Sequence, residues 1–192
     1  MSLQRDHQLD AEVDGAQLLV SFGLDLEEHQ RRHKAGVAAV PDETLLAALL
    51  SIPEDRLGPV EPRFVHLFDD PATSAYATVI DDPDGNRWAQ CTLRAPVSVS
   101  QIDAYADSWR GGLRLAHDWV GYAARVIHLS AIDDVGLPCI EAAEYGVGLV
   151  TDAGTLVTPS EYRPRRWTAA RWRFAELVYD QFLNQAIPSA HT

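Results

Sequence analysis

The sequence predicts a mixed α/β domain, with α+β as the near variant: a central mixed sheet flanked by helices, a helical segment at the N-terminus and a helix at the C-terminus. Three observations carry this. "RVIHLSAI", "GLPCIEAAEYG" and "VGLVT" read as strand, helix and strand between residues 125 and 151. That order requires a parallel pair joined by a right-handed crossover. "SAYATVI" and "RWAQCTL" flank the turn-rich "DDPDGN", which adds an antiparallel hairpin. Finally, 192 residues with 46% hydrophobic and 23% charged content suffice to bury a sizeable core. The strands near 75–80, 87–93, 125–131 and 147–151 are expected to share one sheet.

Taken in order, "LDAEVDGAQLLVSFGL" (residues 9–24) has helix-like spacing, with Val13, Leu18 and Val20 to Phe22 as apolar anchors. Asp25 is a good cap for "DLEEHQRRHKAG", which ends at Gly36. Asp42 caps the amphipathic "PDETLLAALLSI", and Pro53 stops it. The proline-rich "PEDRLGPVEPR" is a connecting loop, after which "RFVHLF" reads as a strand. Ser98, with Gln101 in capping-box position, opens a predicted helix "SVSQIDAYADSW", separated from "LRLAHDWVGYAA" by Gly111 and Gly112. A short strand "TLVT" follows the βαβ unit, and a last helix covers about 168–184. This divides the chain into an N-terminal helical segment, 1–58, packed on an α/β core, 59–192.

The formal net charge is −12, which argues against extended nucleic-acid binding because like charge repels phosphate. The charge is uneven: residues 161–192 carry +2 and the remainder −14. No apolar run reaches the length of a membrane span, and the acidic N-terminus lacks an apolar signal core, so a cytoplasmic location is expected. Cys91 and Cys139 stand in separate apolar runs and are expected to be buried free thiols.

Four stretches could carry chemistry. Gln90 and Thr92 leave the same face of their strand, but a neutral amide and a hydroxyl lack the negative charge that a Mg²⁺ site relies on. Asp81, Asp82, Asp84 and Asn86 offer oxygens at alternating positions, weak metal candidates in a segment that equally suits a plain tight turn. His29 and His33 lie one helical turn apart, though Gln30 replaces the glutamate of zinc sites and the face reads as solvated. At the C-terminus, Arg163, Arg165, Arg166, Arg171 and Arg173 interleave with Trp167 and Trp172, the composition of a nucleic-acid contact surface. The competing reading packs the tryptophans inward. Cys139 near a helix start and His128 in the preceding strand form a further possible pair. No nucleophile elbow or Gly-rich phosphate loop is present.

From "RVIHLSAI" through "EAAEYG", "VGLVT" and "TLVT" to "EYRPRRW", the element order resembles the C-terminal half of restriction-endonuclease-like (PD-(D/E)-x-K) nucleases. "QIDAY", with Gln101 and Tyr105, resembles the helix that follows their catalytic hairpin, which places "WAQCT" on the E-x-K strand. The likeness spans about residues 64–166. It implies a nuclease fold without nuclease chemistry, since Gln90 stands for the catalytic Glu, Thr92 for the Lys, and no acid occurs at Tyr76–Thr78. The expected function is therefore an inactive binding or regulatory module, needing no cofactor, whose partner is nucleic acid or another protein. Two alternatives stand beside it. One is an active Mg²⁺-dependent nuclease with Asp82 as displaced acid and Gln90, Thr92 and Gln101 around it. The other is an interaction module whose acidic surface takes a basic partner.

Overall fold

A computed structural model describes residues 6–164 and 166–186. In chain order its elements are β1 (Asp6–Val13), β2 (Ala16–Leu24), α1 (Leu26–Ala35), α2 (Glu43–Ser51), β3 (Gly58–Pro59), β4 (Ala77–Asp81), β5 (Arg87–Cys91) and β6 (Val97–Tyr105). They continue with α3 (Trp109–Asp118), β7 (Ala124–Leu129), α4 (Gly136–Tyr145), β8 (Val147–Thr151), β9 (Gly154–Val157) and α5 (Ala169–Ala186). The fold is mixed α/β, and the C-terminal helix is present. The chain forms two compact units. One comprises Asp25–Pro96 with Arg166–Leu183; the other holds the described residues of Leu3–Leu24, Val97–Arg165 and Asn184–Thr192.

The second unit is built on a six-stranded sheet of order β1-β2-β6-β7-β8-β9. β6, β7 and β8 are parallel, while β1–β2, β2–β6 and β8–β9 pair antiparallel. The parallel pairing of β7 with β8 is the one the βαβ pattern predicts. α4 makes the crossover and ends at Gly146, whose φ of 64° is the left-handed cap. Trp109 and Ala116 of α3, Ala142 of α4, and Ile127, Leu129 and Leu149 of the strands form this unit's core on one face of the sheet.

Two predicted helices of this unit are strands. Residues 9–24 belong to the β1–β2 hairpin, whose turn residues Asp14 and Gly15 both have positive φ (49° and 82°). That pair of conformations matches the right-handed twist of the flanking strands, and Asp-Gly is its usual sequence. "SVSQIDAY" is β6. The next helix starts at Trp109 instead, with the Ser108 hydroxyl accepting from the Gly111 amide at 3.3 Å. Gly111 and Gly112 lie inside α3 and do not break it. A Cβ on Gly112 would stand 2.4 Å from the Ile127 Cγ2, so glycine is what lets α3 approach β7.

The first unit joins a three-stranded antiparallel sheet, order β3-β5-β4, to α1, α2 and most of α5. The predicted hairpin is therefore real but does not share a sheet with β7 and β8; the one-sheet expectation is corrected. "RFVHLF" is not a strand but lies in a 3-10 helix, Pro62–Asp69, with proline in its first turn. Its Phe64 and Phe68 are buried with Leu46, Leu49, Leu93 and Trp172. The face of α1 that carries His29 and His33 was expected to be solvated; His33 is exposed, whereas His29 is half-buried. Arg32 between them is instead 0% exposed, held by Glu28 (2.8 Å) and by Glu176 of α5 (2.7 Å). His29 meets the Tyr179 hydroxyl at 3.0 Å.

Candidate binding site at the carboxyl edge of the six-stranded sheet

β6, β7 and β8 run in the same direction and end together at Tyr105, Leu129 and Thr151. In open α/β sheets the crevice outside the carboxyl ends of the strands is where ligands sit, because the connecting loops diverge there. Here it is a cleft of about 370 Å³, lined by Tyr105, Asp107, His128, Ser130, Thr151 and Asp152 among others.

A bulge aims the side chains. Phe22 pairs with Val99 but Ser21 with Gln101, so Ser100 is the extra residue. Before it Val97 and Val99 are buried; after it Ile102 and Ala104 are, and Gln101, Asp103 and Tyr105 share the other face. On that face the Gln101 amide donates to both Asp103 oxygens (3.0 and 2.9 Å). Asp103, 4% exposed, also meets His128 Nε2 at 2.7 Å. Tyr105 is the register partner of His128 and stacks on its ring, with centroids 4.7 Å apart and planes 22° apart. The ring stays 60% exposed. Asp103 thus fixes the imidazole by one nitrogen, and Tyr105 roofs it with an accessible aromatic face. With Asp107 and Asp152 exposed on the rim, the cleft is an acidic recess beside an aromatic platform. It can hold a guanidinium or ammonium group by charge and by cation–π contact.

Of the residues singled out from the sequence, Gln101, Tyr105 and His128 meet here and the others are placed elsewhere. Gln101 belongs to this cluster, through β6 and not through a helix. Gln90 on β5 donates to the Glu54 carbonyl at 2.9 Å and lies opposite Thr78; Thr92 is exposed just past the strand. Asp81 pairs with Arg87 at 2.8 Å, and those guanidinium hydrogen bonds hold its carboxyl below the usual range. Asp82 organises the turn: it accepts from the Asn86 side chain (3.0 Å) and amide (2.8 Å), from Trp88 (3.1 Å) and from the Asp84 amide (3.0 Å). These donors, Asn86 foremost, lower its pKa too. Asp84 is exposed in the same turn. Among the described residues no three His, Cys, Asp or Glu side chains converge on a metal position.

The arginine-rich segment is divided. Arg163, in the second unit, is paired with Glu161 at 2.6 Å, and Arg165 lies outside the described residues. In the first unit Arg166 is exposed, whereas Arg171 is 8% exposed with its guanidinium 4.0 Å over the Trp167 ring. Trp172 is buried and donates to Glu176 at 2.9 Å; Arg173 is half-buried. Both cysteines are free thiols. Burial pushes Cys91 up to about 11, and Cys139 is half-buried on α4.

Asp103 drew no notice in the sequence, and Tyr105 and His128 were noticed in other roles, Tyr105 on a predicted helix and His128 beside Cys139. The signal available was Gln-x-Asp-x-Tyr, an alternation that puts three polar side chains on one strand face. Compared with family models, curated proteins and solved structures, the chain finds no match.

Proposed function

We propose that the chain is a binding module on a restriction-endonuclease-like framework without nuclease chemistry, and that its carboxyl-edge cleft takes a cationic group of a basic partner protein. The observation that carries the reading is the Asp103–His128 pair beneath an exposed Tyr105, rimmed by Asp107 and Asp152. Element order supports the framework. The expected alignment, with "WAQCT" as the E-x-K strand and "QIDAY" as the helix after it, does not hold, since β5 lies in the three-stranded sheet and "QIDAY" is in β6. On this reading the strand before α3 and β7 is β6, and Gln101 and Asp103 would take the E-x-K places. The lysine is replaced by an acid, and the facing β2 residues Leu19 and Ser21 supply no carboxylate. An acidic cleft in a chain of net charge −12 favours a cation over a phosphate.

Titration of the purified protein with a fluorescent arginine-rich peptide at low salt tests this. Binding should weaken about tenfold, near 1.4 kcal/mol, on Tyr105→Ala and again on Asp107→Asn with Asp152→Asn. Peptide binding that ignores all three substitutions removes the site. Metal-dependent cleavage of DNA or RNA by the wild-type protein would instead establish the nuclease alternative.

A further inference from the structure

A second recess of the same unit lies on the opposite face of the sheet and at the opposite, amino-terminal end of the parallel strands. α3 supplies Arg110, Leu113, Arg114 and His117, whose i, i+3, i+4, i+7 spacing is one face of a helix. Val120 continues that face, Tyr145 closes it from the end of α4, and Arg125 forms the floor from the start of β7. The recess measures about 740 Å³, within the range of small-molecule sites.

Its charges are unusual for so acidic a chain. Arg110 has a partner, Glu141 at 3.0 Å. Arg125 is half-buried and donates to the carbonyls of Ala116 (3.3 Å) and Tyr145 (2.8 Å), near the ends of α3 and α4. Among the described residues it meets no carboxylate, and neither does Arg114 or His117. The lining includes one acid, Glu144, which lies within ion-pair distance of none of them. Two helix C-termini offer roughly half a negative charge each, enough to offset Arg125. Arg114, exposed on α3, then has no ion-pair partner among the described residues, in a protein with 28 acidic residues and 16 basic ones. Val120 and Tyr145, each 52% exposed, stand beside it as apolar surface open to a ligand.

We propose that this recess binds a small amphipathic anion, its carboxylate or phosphate head on Arg114 and its apolar body across Leu113, Val120 and Tyr145. The guanidinium fork of Arg114 suits a two-oxygen head, which it can bind bidentately with charge-assisted hydrogen bonds. His117, one turn on along α3, adds a second donor.

Calorimetric titration of the full chain with octanoate, octyl phosphate, octanol and inorganic phosphate tests the assignment. Octanoate or octyl phosphate should bind, with octanol and inorganic phosphate at least about tenfold weaker, since each lacks one half of the ligand. Arg114→Glu should lose that binding, and Arg114→Gln should reduce it, while thermal unfolding stays that of the wild type because the side chain is exposed. Val120→Asp should lower affinity for octanoate by a similar factor. Failure of both amphiphiles to bind overturns the proposal. So does equal binding of octanol, or affinity unchanged in Arg114→Glu.

Discussion

At the scale of single residues, the largest electrostatic commitment is the buried group Glu28, Arg32 and Glu176. Arg32 is fully buried and bonded by both carboxylates; Glu176 also accepts from the Val40 amide at 2.9 Å and from Trp172. Removing one partner strands a charge without water. Arg32→Met should therefore destabilise the protein by about 3–5 kcal/mol, read from urea unfolding. Replacing the three together by apolar residues should cost much less. Glu28 also makes stability depend on pH. Burial raises its pKa, but the hydrogen bonds from Arg31 and Arg32 outweigh that and hold it below its ordinary 4.5. The unfolded chain thus takes up the proton first as pH falls, so this contribution is whole above 4.5 and is lost through the lower, folded value. Unfolding measured from pH 7 downward should show that loss, and Glu28→Gln should flatten part of it. None of this was legible locally. "EEHQRRHK" is charged enough to read as a solvated face, and the partner that buries it, Glu176, is 144 residues beyond Arg32.

Elements were legible where one period ran through them. α1, α2 and α4 have caps at Asp25, Asp42 and Gly146 in the expected places, and the β7–α4–β8 crossover follows from its pattern. The misread strands had their period interrupted. In β6 the bulge at Ser100 shifts the buried positions from Val97 and Val99 to Ile102 and Ala104, so no alternation survives over the whole strand. In β1–β2 the Asp14–Gly15 turn sits within an apolar run that mimics helical spacing once the turn is overlooked. α3 shows the reverse case: two adjacent glycines look like a break, yet Gly112 serves a close approach. Alanine at an ordinary helix position gains about 1 kcal/mol over glycine. Gly112→Ala should instead lower stability by about 1–3 kcal/mol, through the clash with Ile127. Thermal unfolding of the variant checks the sign, and an increased midpoint would mean that α3 can move away from β7 without penalty.

Over the whole molecule the charge decides between classes of partner, because every candidate surface must act within the field of a −12 chain. The +2 balance of residues 161–192 suggested a phosphate-binding patch by composition alone, and composition does not say where side chains go. Among the described residues of that stretch, Arg163 is tied to Glu161, Arg171 is buried over Trp167, and Trp172 is spent on Glu176. A stacking platform for bases needs exposed rings, and Trp172 is 4% exposed. Each phosphate neutralised on duplex DNA contributes about −0.9 to the slope of log affinity against log salt, so a real interface of several arginines is easily seen. Labelled duplex DNA and single-stranded RNA, titrated from low to physiological salt, should show no saturable binding. An arginine-rich peptide under the same conditions should bind and weaken with salt, since its ion pairs at Asp107 and Asp152 are exposed and screened within about 8–10 Å. Saturable DNA binding that Arg166→Ala weakens would reverse the assignment: nucleic acid would then be the partner, and the acidic cleft would be incidental to it.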